Sequence, residues 1–306
     1  MTKLVVLGST NVDHVLNVSH FPSPGETINS DSYQVMSGGK GGNQAVAANR
    51  MGAQVAFISC VGNDALGSQM LKRYEESGID TEYVLQIPGQ NTGTALIFVD
   101  QTGENCIGIS AQANAYLTAE RVFQCRDKIE NADALLLQLE TPIDGVLAAA
   151  KIASASNTLV VLNPAPAQPL PNELLALVSL ITPNETEVEA LTGIKVIDDT
   201  SAAQACKVLH AIGIAQVIIT LGSKGVWFSD NGHGNLVGGF SVKAVDTTAA
   251  GDCFNGALMA GLQRTGSMTD SIVFAQAAAA LTVTFSGAQE SIPYKEQVDA
   301  FLTSNS

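Results

Sequence analysis

After residue 115 the pattern of hydrophobic and polar residues alternates short apolar runs with longer segments of helical periodicity. Four apolar runs predict strands at Ala134–Leu137, Leu159–Leu162, Leu180–Thr182 and Val217–Thr220. The segments around them predict helices near residues 118–131, 142–154, 184–192 and 201–212. This alternation is typical of βαβ units, so we expect an α/β fold with a mostly parallel central sheet flanked by helices.

Before residue 115 apolar and polar positions alternate along Val12–Val18, Thr92–Asp100 and Asn105–Ser110. This alternation predicts exposed or antiparallel strands, and residues 100–104 have the composition of a hairpin turn. We expect a small second β-sheet from about residues 12–36 and 92–110, either a lid over the main sheet or a plain β-extension. The predicted organisation is a single domain over 1–306 with a first strand in Met1–Gly8.

The composition restricts the partners and the compartment of the protein. A formal net charge of −14 disfavours nucleic acid, although a few local donors can still hold a small phosphorylated ligand. No segment approaches the roughly 20 apolar residues of a membrane-spanning helix, so we expect no membrane partner and a cytoplasmic location. The cysteines form no CxxC pair and predict neither a zinc site nor a disulfide framework; they are Cys60, Cys106, Cys125, Cys206 and Cys253.

A turn of small residues near the C-terminus, Val245–Gly256, opens directly into an apolar helix. A helix start presents unpaired backbone N–H groups to an anion, and Asp252 at this start has the chemistry to take a proton from an attacking hydroxyl. The combination favours a phosphoryl-transfer site. The alternative is an ordinary capped helix start, since Asp is favoured there for structural reasons alone.

Polar residues follow the predicted strands at points where a strand ends. They are Asn11 and Asp13, Glu140, Asn163, Asn184 and the segment Thr220–Gly225. In an open α/β sheet, ligands bind outside the carboxyl ends of the strands, so we expect these residues to face one crevice. Each of them taken alone is also a common turn residue.

Two glycine-rich stretches can bring the backbone close to a ligand. Ser37–Asn43 is predicted to lead into a helix over Gln44–Met51. It is not a P-loop, because Gly41 rather than Ser or Thr follows Lys40. The second stretch, Leu221–Gly225, is either a nucleotide-binding loop or an ordinary turn.

Three segments resemble the signature sequences of the ribokinase-like (PfkB) carbohydrate kinases, namely Gly38–Asn43, Asn184–Glu187 and Asp246–Asp252. The resemblance extends over essentially the whole chain and includes Asn11–Asp13, Gln138–Glu140 and Asn163–Ala167. It implies the transfer of a phosphoryl group from ATP to the 5-hydroxyl of D-ribose, giving D-ribose 5-phosphate and ADP.

The same resemblance implies roles for individual residues. Asp252 would be the base that accepts the proton of the sugar hydroxyl. The backbone N–H groups of Ala249, Ala250 and Gly251 would form an anion hole. The implied sugar-binding residues, which supply the paired donors and acceptors of a polyol site, are Asn11, Val12, Asp13, Gly39, Lys40, Gly41, Gly42, Asn43, Glu140 and Asp252. For Lys40 the alternative is a surface charge in a flexible loop.

The same resemblance also implies which residues bind the nucleotide and the metal ions. The implied ATP-binding residues are Asn184, Thr220, Leu221, Gly222, Ser223, Lys224, Gly225, Gly251, Asp252 and Gln276. Glu187 would organise Mg²⁺ through its waters, unless it is a solvated helix residue. An activating K⁺ ion would be held, partly by backbone carbonyls, by Asp246, Thr248, Thr282, Phe285, Gly287 and Ser291.

Several positions depart from the commonest pattern of the family. Phe285-Ser286 replaces a frequently basic pair, and Glu290 replaces a frequent Pro. Gln276 stands where His is common near the adenine, and Gly42 stands where Ala is common.

Other substrates and a binding role are the functional alternatives. A relative that phosphorylates deoxyribose, fructose or a nucleoside such as adenosine would share these motifs, whereas a non-catalytic sensor typically lacks the base that Asp252 supplies. A nicotinamide dehydrogenase is excluded by the absence of a glycine fingerprint around Gly8–Thr10. Hairpins such as residues 92–110 can pair edge to edge, and the resemblance implies a homodimer through the small sheets.

Overall fold

The structure, a computed structural model, describes residues 3–305 and contains two β-sheets. Its strands are β1 (Lys3–Leu7), β2 (Asn11–Val18), β3 (Ser30–Gly38), β4 (Gln54–Gly62), β5 (Asp80–Ile87), β6 (Gly93–Val99), β7 (Asn105–Ser110), β8 (Ala134–Leu137), β9 (Leu159–Leu162), β10 (Leu180–Ile181), β11 (Gln216–Thr220), β12 (Gly225–Asp230) and β13 (His233–Gly238). The predicted first strand also included Met1 and Thr2, which lie outside the described residues.

The helices surround the larger sheet. They are α1 (Lys40–Arg50), α2 (Ala65–Glu76), α3 (Ala119–Gln124), α4 (Arg126–Glu130), α5 (Ile143–Ala155), α6 (Asn172–Leu175), α7 (Glu185–Thr192), α8 (Asp199–Ile212), α9 (Ala250–Thr265), α10 (Met268–Thr282) and α11 (Lys295–Ser304). Short 3₁₀ turns occupy Gln112–Tyr116, Gly222–Lys224 and Gln289–Ser291. Within residues 3–305, no helix is both long and apolar enough to cross a bilayer.

The larger sheet has nine strands in the order β13-β12-β11-β10-β9-β8-β1-β4-β5. The strands from β11 to β5 pair in parallel, and β12 and β13 add an antiparallel edge. Leu7 at the end of β1 lies opposite Leu137 at the end of β8, so the carboxyl ends of these two strands are level, whereas the neighbouring β4 continues beyond them to Gly62. The expected α/β fold with a mostly parallel sheet is therefore confirmed.

Both faces of this sheet are buried, which explains why its strands are apolar without alternation. Successive side chains of a strand point to opposite faces. Leu4 and Val6 of β1 accordingly contribute to a core with α1, α9 and α10, whereas Val5 and Leu7 contribute to a second core with α3, α5 and α8.

The smaller sheet has four strands in the order β3-β2-β6-β7. The predicted hairpin is present, since Ala95 of β6 pairs with Ile109 of β7 in antiparallel register. The expectation that these strands are antiparallel is wrong for the central pair, because β2 and β6 run parallel. The chain between them passes through β3, α1, β4, α2 and β5, and a crossover of this length permits parallel pairing.

Two helix boundaries differ from the prediction. The helix predicted near 118–131 is divided at Cys125 into α3 and α4. The helix predicted to begin at Gln44 begins at Lys40, because the Glu140 carboxylate accepts the Lys40 N–H at 3.0 Å and so satisfies a free donor of its first turn. Gly41 and Gly42 are consequently helical rather than part of a loop.

The close approach of α1 to β1 depends on Gly41. A Cβ at this position would lie 2.5 Å from the carbonyl carbon of Gly8 and 2.6 Å from the backbone N of Ser9. We therefore expect Gly41→Ala to lower the free energy of unfolding in urea by about 1–3 kcal/mol, because these backbone atoms cannot move aside without shifting β1. Gly238→Ala is the control, since a Cβ there meets no atom within 4 Å. Equal urea midpoints for the two variants would contradict this account.

Candidate active site

Asp252 lies in the first turn of α9, where the sequence predicts the catalytic carboxylate. Its side chain is buried, and amide groups from α1 donate to both of its oxygens. Asn43 Nδ2 donates to Oδ2 and Gln44 Nε2 donates to Oδ1, each at 2.9 Å. The carboxylate is therefore fixed in position by two neutral donors.

Gln44 belongs to a longer chain of buried amides that sequence reasoning missed. Its Nε2 also donates to Asn163 Oδ1 at 2.9 Å, and its Oε1 accepts from Gln138 Nε2 at 2.6 Å. Asn163 was predicted at the end of β9, and it lies there, linked to Asp252 through one residue. The signal for Gln44 was its spacing, since Lys40 and Gln44 share a face in a helix that starts at residue 40.

Burial and nearby positive charge have opposite effects on the pKa of Asp252. Burial raises the pKa of this carboxyl group, while the Lys40 ammonium and the amides of Asn43 and Gln44 oppose that rise. Burial likewise lowers the pKa of Lys40, but the surrounding carboxylates outweigh it and raise the pKa overall. These carboxylates are Asp252, Glu140, Glu187 and Asp13. Lys40 is therefore a half-buried cation at the start of α1, among these carboxylates, and not a charge in a surface loop.

Asp13 in β2 is buried at the edge of this acidic group. Burial raises its pKa from 3.8 to about 7, and the charges of Glu140, Glu290 and Asp252 act in the same direction. The neighbouring Asn11 accepts a hydrogen bond from Asn114 Nδ2 at 2.8 Å through Oδ1. Asn114, from the 3₁₀ turn before α3, is a further site residue that sequence reasoning missed.

Glu140 is engaged with the start of α1. Its Oε2 accepts from Ser9 Oγ at 2.6 Å as well as from the Lys40 N–H at 3.0 Å. Anions are favoured at a helix N-terminus, so this carboxylate caps the helix that carries Lys40 and Asn43. Gly42 N donates to the Ser9 carbonyl at 2.9 Å, which ties the same turn to the end of β1.

A cavity of about 450 Å³ lies on the other side of the first turn of α9. Six of the predicted ATP-binding residues contribute to its lining, namely Thr220, Gly222, Ser223, Gly225, Gly251 and Gln276. The Gln276 side chain is buried, and neither of its polar atoms has a hydrogen-bond partner within residues 3–305. A buried amide without partners is costly, so this position favours a polar ligand group.

Four predicted ATP-binding residues do not line the cavity directly, and one of them is Asp252, whose carboxylate is held by the amides of α1. Leu221 packs against the second core, and the exposed Lys224 lies in the 3₁₀ turn behind the lining. Asn184 is bridged to Thr220 by its backbone, and its Oδ1 accepts the Glu187 N–H at 2.8 Å.

The far wall of this cavity is the segment from Gly239 to Ala244. It lies outside regular secondary structure, between β13 and α9. Sequence reasoning missed it because it has neither periodicity nor a motif.

Glu187 caps α7 and is buried. Its Oε2 accepts the Asn184 N–H at 2.9 Å, which completes a capping box with the reciprocal bond. Burial raises the pKa of Glu187, and the Asn184 hydrogen bond and the Lys40 charge oppose that rise. The alternative of a solvated helix residue is therefore wrong.

Asp246 joins the two segments that the sequence predicts for a potassium site. Its Oδ1 accepts from Thr248 N and its Oδ2 from Gly287 N, both at 2.9 Å. Burial raises the pKa of Asp246, but these hydrogen bonds outweigh it and lower the pKa overall, so the group stays anionic. Thr282 and Ser291 are buried nearby in the chain, whereas the Phe285 side chain is exposed.

Comparison with known proteins agrees with this fold. A model of the pfkB family carbohydrate kinases matches residues 1–295. The chain is 50% identical over 299 residues to a ribokinase of Haemophilus influenzae, with 98% of each chain covered. It is 43% identical to a ribokinase of Staphylococcus aureus, covering 97% of this chain and 98% of that one.

A solved structure of Arabidopsis thaliana ribokinase, complexed with ribose and ATP, superposes with a TM-score of 0.92 at 32% identity. The match covers 98% of each chain. The chain belongs to the pfkB family of carbohydrate kinases.

The raised pKa of Asp13 predicts a dependence of stability on pH. Between about pH 4 and pH 7 the folded state binds more protons than the unfolded state, so stability is lost as the pH rises through this window. We expect the free energy of unfolding in urea to fall between about pH 5 and pH 8. The fall should be about 1–3 kcal/mol larger for the wild type than for Asp13→Asn. The exposed Asp31→Asn should follow the wild type. Parallel pH profiles for wild type and Asp13→Asn would rule this out.

Proposed function

We propose that the protein is an ATP-dependent ribokinase, which phosphorylates D-ribose at its 5-hydroxyl and releases ADP. The observation that carries the proposal is the position of Asp252, between a polar group of buried side chains and the 450 Å³ cavity at the start of α9. The similarity to ribokinases over the full chain supports ribose as the sugar.

The first turn of α9 supplies both parts of the transfer chemistry. Asp252 accepts the proton of the 5-hydroxyl while that oxygen bonds to the γ-phosphorus and the bond to the β-phosphate oxygen breaks. A carboxylate is a weak base, so the proton moves late, and burial makes Asp252 more basic than an ordinary carboxylate. Backbone N–H groups of Ala249, Ala250 and Gly251 face the moving phosphoryl group as an anion hole.

The backbone before α9 supports this role. Ala249 has φ of 60°, in the left-handed region that non-glycine residues seldom adopt. The Ala250 N–H makes only a long bond, 3.3 Å, to the Thr247 carbonyl. A turn with this shape leaves donors of the first helical turn for an anion.

The sugar is placed by the polar group around Lys40. Asn11, Asp13 and Glu140 offer side-chain donors and acceptors to the ribose hydroxyls, and Asn43 has a buried Oδ1 without a partner in the described chain. Backbone groups complete the proposed sugar site, and the small residues among them allow the sugar to approach the backbone closely. These residues are Val12, Gly39, Gly41 and Gly42. At Gly39 a Cβ would lie 2.6 Å from the Asn11 N.

The nucleotide occupies the cavity lined by Thr220, Gly222, Ser223 and Gly225, with Gln276 beside the adenine and Asn184 behind Thr220. Leu221 and Lys224 support this loop from outside. The phosphates point toward Lys40 and the start of α9, where the positive groups of the site are concentrated.

The residues present fit both metal ions of the proposal. Glu187 is a buried carboxylate, and a carboxylate oxygen would suit a Mg²⁺ that keeps waters and phosphate oxygens as its other ligands. The anionic Asp246, with Ser291 and carbonyls of Thr248, Thr282, Phe285 and Gly287, offers hard oxygen donors to K⁺. Bound there, the cation would add positive charge beside the anion hole.

We also propose a homodimer in which the small sheet, acting as a lid, is the contact surface. Tyr33, Val35 and Leu96 are each about half exposed. Val35 and Leu96 both pair with His14, so they lie on the face opposite Asp13. An apolar face of this kind is suited to burial against a second copy. With ATP as co-substrate and cysteines that are all free, the cytoplasm is the proposed compartment.

The chemistry is tested by ADP release with Mg-ATP and a panel of ribose, deoxyribose, fructose and adenosine, in potassium and in sodium. We expect turnover on ribose that is faster in potassium, and Asp252→Asn should lower kcat by roughly 10²- to 10⁴-fold. The control is Asp270→Asn, which makes the same change in the first turn of α10 at an exposed residue.

Each other result has its own meaning. Turnover confined to another compound would overturn the ribose assignment and keep the mechanism. Ribose binding by calorimetry without turnover would favour a sensor. Equal rates in potassium and sodium would contradict the cation site.

The dimer is tested by sedimentation velocity at micromolar concentration. We expect the wild type to sediment as a dimer and the double variant Val35→Asp, Leu96→Asp as a monomer, because two buried carboxylates would face their copies. Ile197→Asp, at an exposed apolar residue before α8, is the control and should remain dimeric. A monomeric wild type, or a dimeric double variant, would contradict the proposed surface.

A further inference from the structure

Gly42 lies in the first turn of α1, and two side chains from other elements occupy the space where its own side chain would be. A Cβ at position 42 would lie 2.3 Å from Oη of Tyr74 and 3.1 Å from Nε2 of Gln289. Atoms in a close-packed interior do not approach to 2.3 Å without displacement. Glycine is therefore required here for space.

Tyr74 has little freedom to move away. It reaches this point from α2, is fully buried, and makes an edge-to-face contact with Phe57 at 5.3 Å between ring centroids. Burial raises its pKa to about 12, so the hydroxyl is neutral. An added methyl group at position 42 would consequently push α1 rather than the ring.

Gln289 is also held in place. Its backbone carbonyl accepts from Arg50 Nη1 at 2.6 Å, and the same nitrogen donates to the Ile292 carbonyl at 2.7 Å. Arg50 is the last residue of α1. The segment that carries Gln289 therefore contacts α1 at both ends, through the Gln289 side chain at Gly42 and through its carbonyls at Arg50.

The turn that Gly42 occupies carries the groups that meet Asp252. Asn43 is its neighbour in the chain and donates to the Asp252 carboxylate, and Lys40 places its ammonium close enough to influence the pKa of Asp252. A displacement of this turn would change both interactions, although residue 42 itself makes neither.

We infer that Gly42, Tyr74 and Gln289 form a positioning contact that sets the distance between the first turn of α1 and the carboxylate of Asp252. None of the three is a catalytic residue, because they act on the base through Asn43 and Lys40. The inference rests on the proposed function and extends it to Tyr74 and Gln289, which lie outside the proposed sugar and nucleotide sites.

The test uses Gly42→Ala, Tyr74→Phe and the double variant in the full-length protein. We expect Gly42→Ala to lower kcat with ribose by roughly 10- to 100-fold, as misplacement of a reacting group does, with KM for ATP within about twofold of the wild type. Alanine is the better helix former, so helix propensity cannot cause such a loss. Tyr74→Phe alone should stay within about threefold of wild-type kcat, because it removes only the hydroxyl.

The double variant tests whether the loss of kcat in Gly42→Ala comes from the clash with the Tyr74 hydroxyl. Without the Tyr74 hydroxyl the nearest atom of the ring to the new Cβ is Cζ, at 3.3 Å, so we expect the double variant to recover most of the lost kcat. Gly256→Ala is the matched control, since its Cβ would meet Ala47 of α1 at 2.6 Å on another face, and Tyr74→Phe should not rescue it.

Three results would overturn the inference. They are unchanged kcat in Gly42→Ala, no recovery in the double variant, and equal rescue of Gly256→Ala. If Gly42→Ala fails to fold, a folded and active double variant supports the contact and an unfolded one overturns it. A wild type without turnover on any sugar would overturn the proposed function instead, and the contact is then judged by whether Tyr74→Phe restores the melting temperature of Gly42→Ala.

Discussion

The structure depends on how four buried or half-buried carboxylates are kept together in a small volume. Asp252, Asp13, Glu140 and Glu187 all act on the pKa of one ammonium, that of Lys40. One cation cannot neutralise all of these carboxylates when they are ionised, and isolated buried charges are costly. The remaining compensation comes from neutral donors. Two amides hold Asp252, the start of α1 holds Glu140, and the start of α7 holds Glu187, so two helix termini and a chain of buried amides stabilise the acidic site.

Helix α1 is the element on which these contacts converge, and its own position is set by glycines. Gly41 allows it to lie on the loop after β1, and Gly256 of α9 allows the two helices to approach until a Cβ would lie 2.6 Å from the Ala47 Cβ. Backbone approach of this kind leaves few alternative positions for a helix. Because α1 supplies the two amides that hold Asp252 and the ammonium of Lys40, the packing of α1 against β1 and α9 fixes the position of the Asp252 carboxylate.

The apolar runs after residue 115 allowed the sheet to be predicted, because strands buried on both faces need uninterrupted hydrophobic residues. The alternation before residue 115 likewise predicted a second sheet. The parallel pairing of β2 with β6 was not predictable, since paired residues as distant in the chain as Asn11 and Gly93 leave no local pattern. The start of α1 was predicted too late because glycine is a poor helix former, and the tertiary bond from Glu140 overrides that preference. The polar ends of the strands indicated where the site lies. Gln44 was missed because its spacing from Lys40 has meaning only once α1 starts at residue 40, and the segment 239–244 had no recognisable signal.

The separation of charge explains how an acidic protein of net charge −14 can accommodate a polyanionic nucleotide. Among the described residues, those lining the 450 Å³ cavity include no charged side chain, so the carboxylates are confined to the other side of α9. A single helical turn forms the boundary, because Ala250 and Gly251 line the cavity while Asp252 points to the amides of α1. Small residues are needed at this turn so that backbone N–H groups remain accessible from the cavity. The left-handed backbone conformation of Ala249 directs the chain into the turn. In the proposed function the same turn would present positive dipoles to a phosphate and the Asp252 carboxylate to a hydroxyl, which is the arrangement that in-line transfer between the two sides requires.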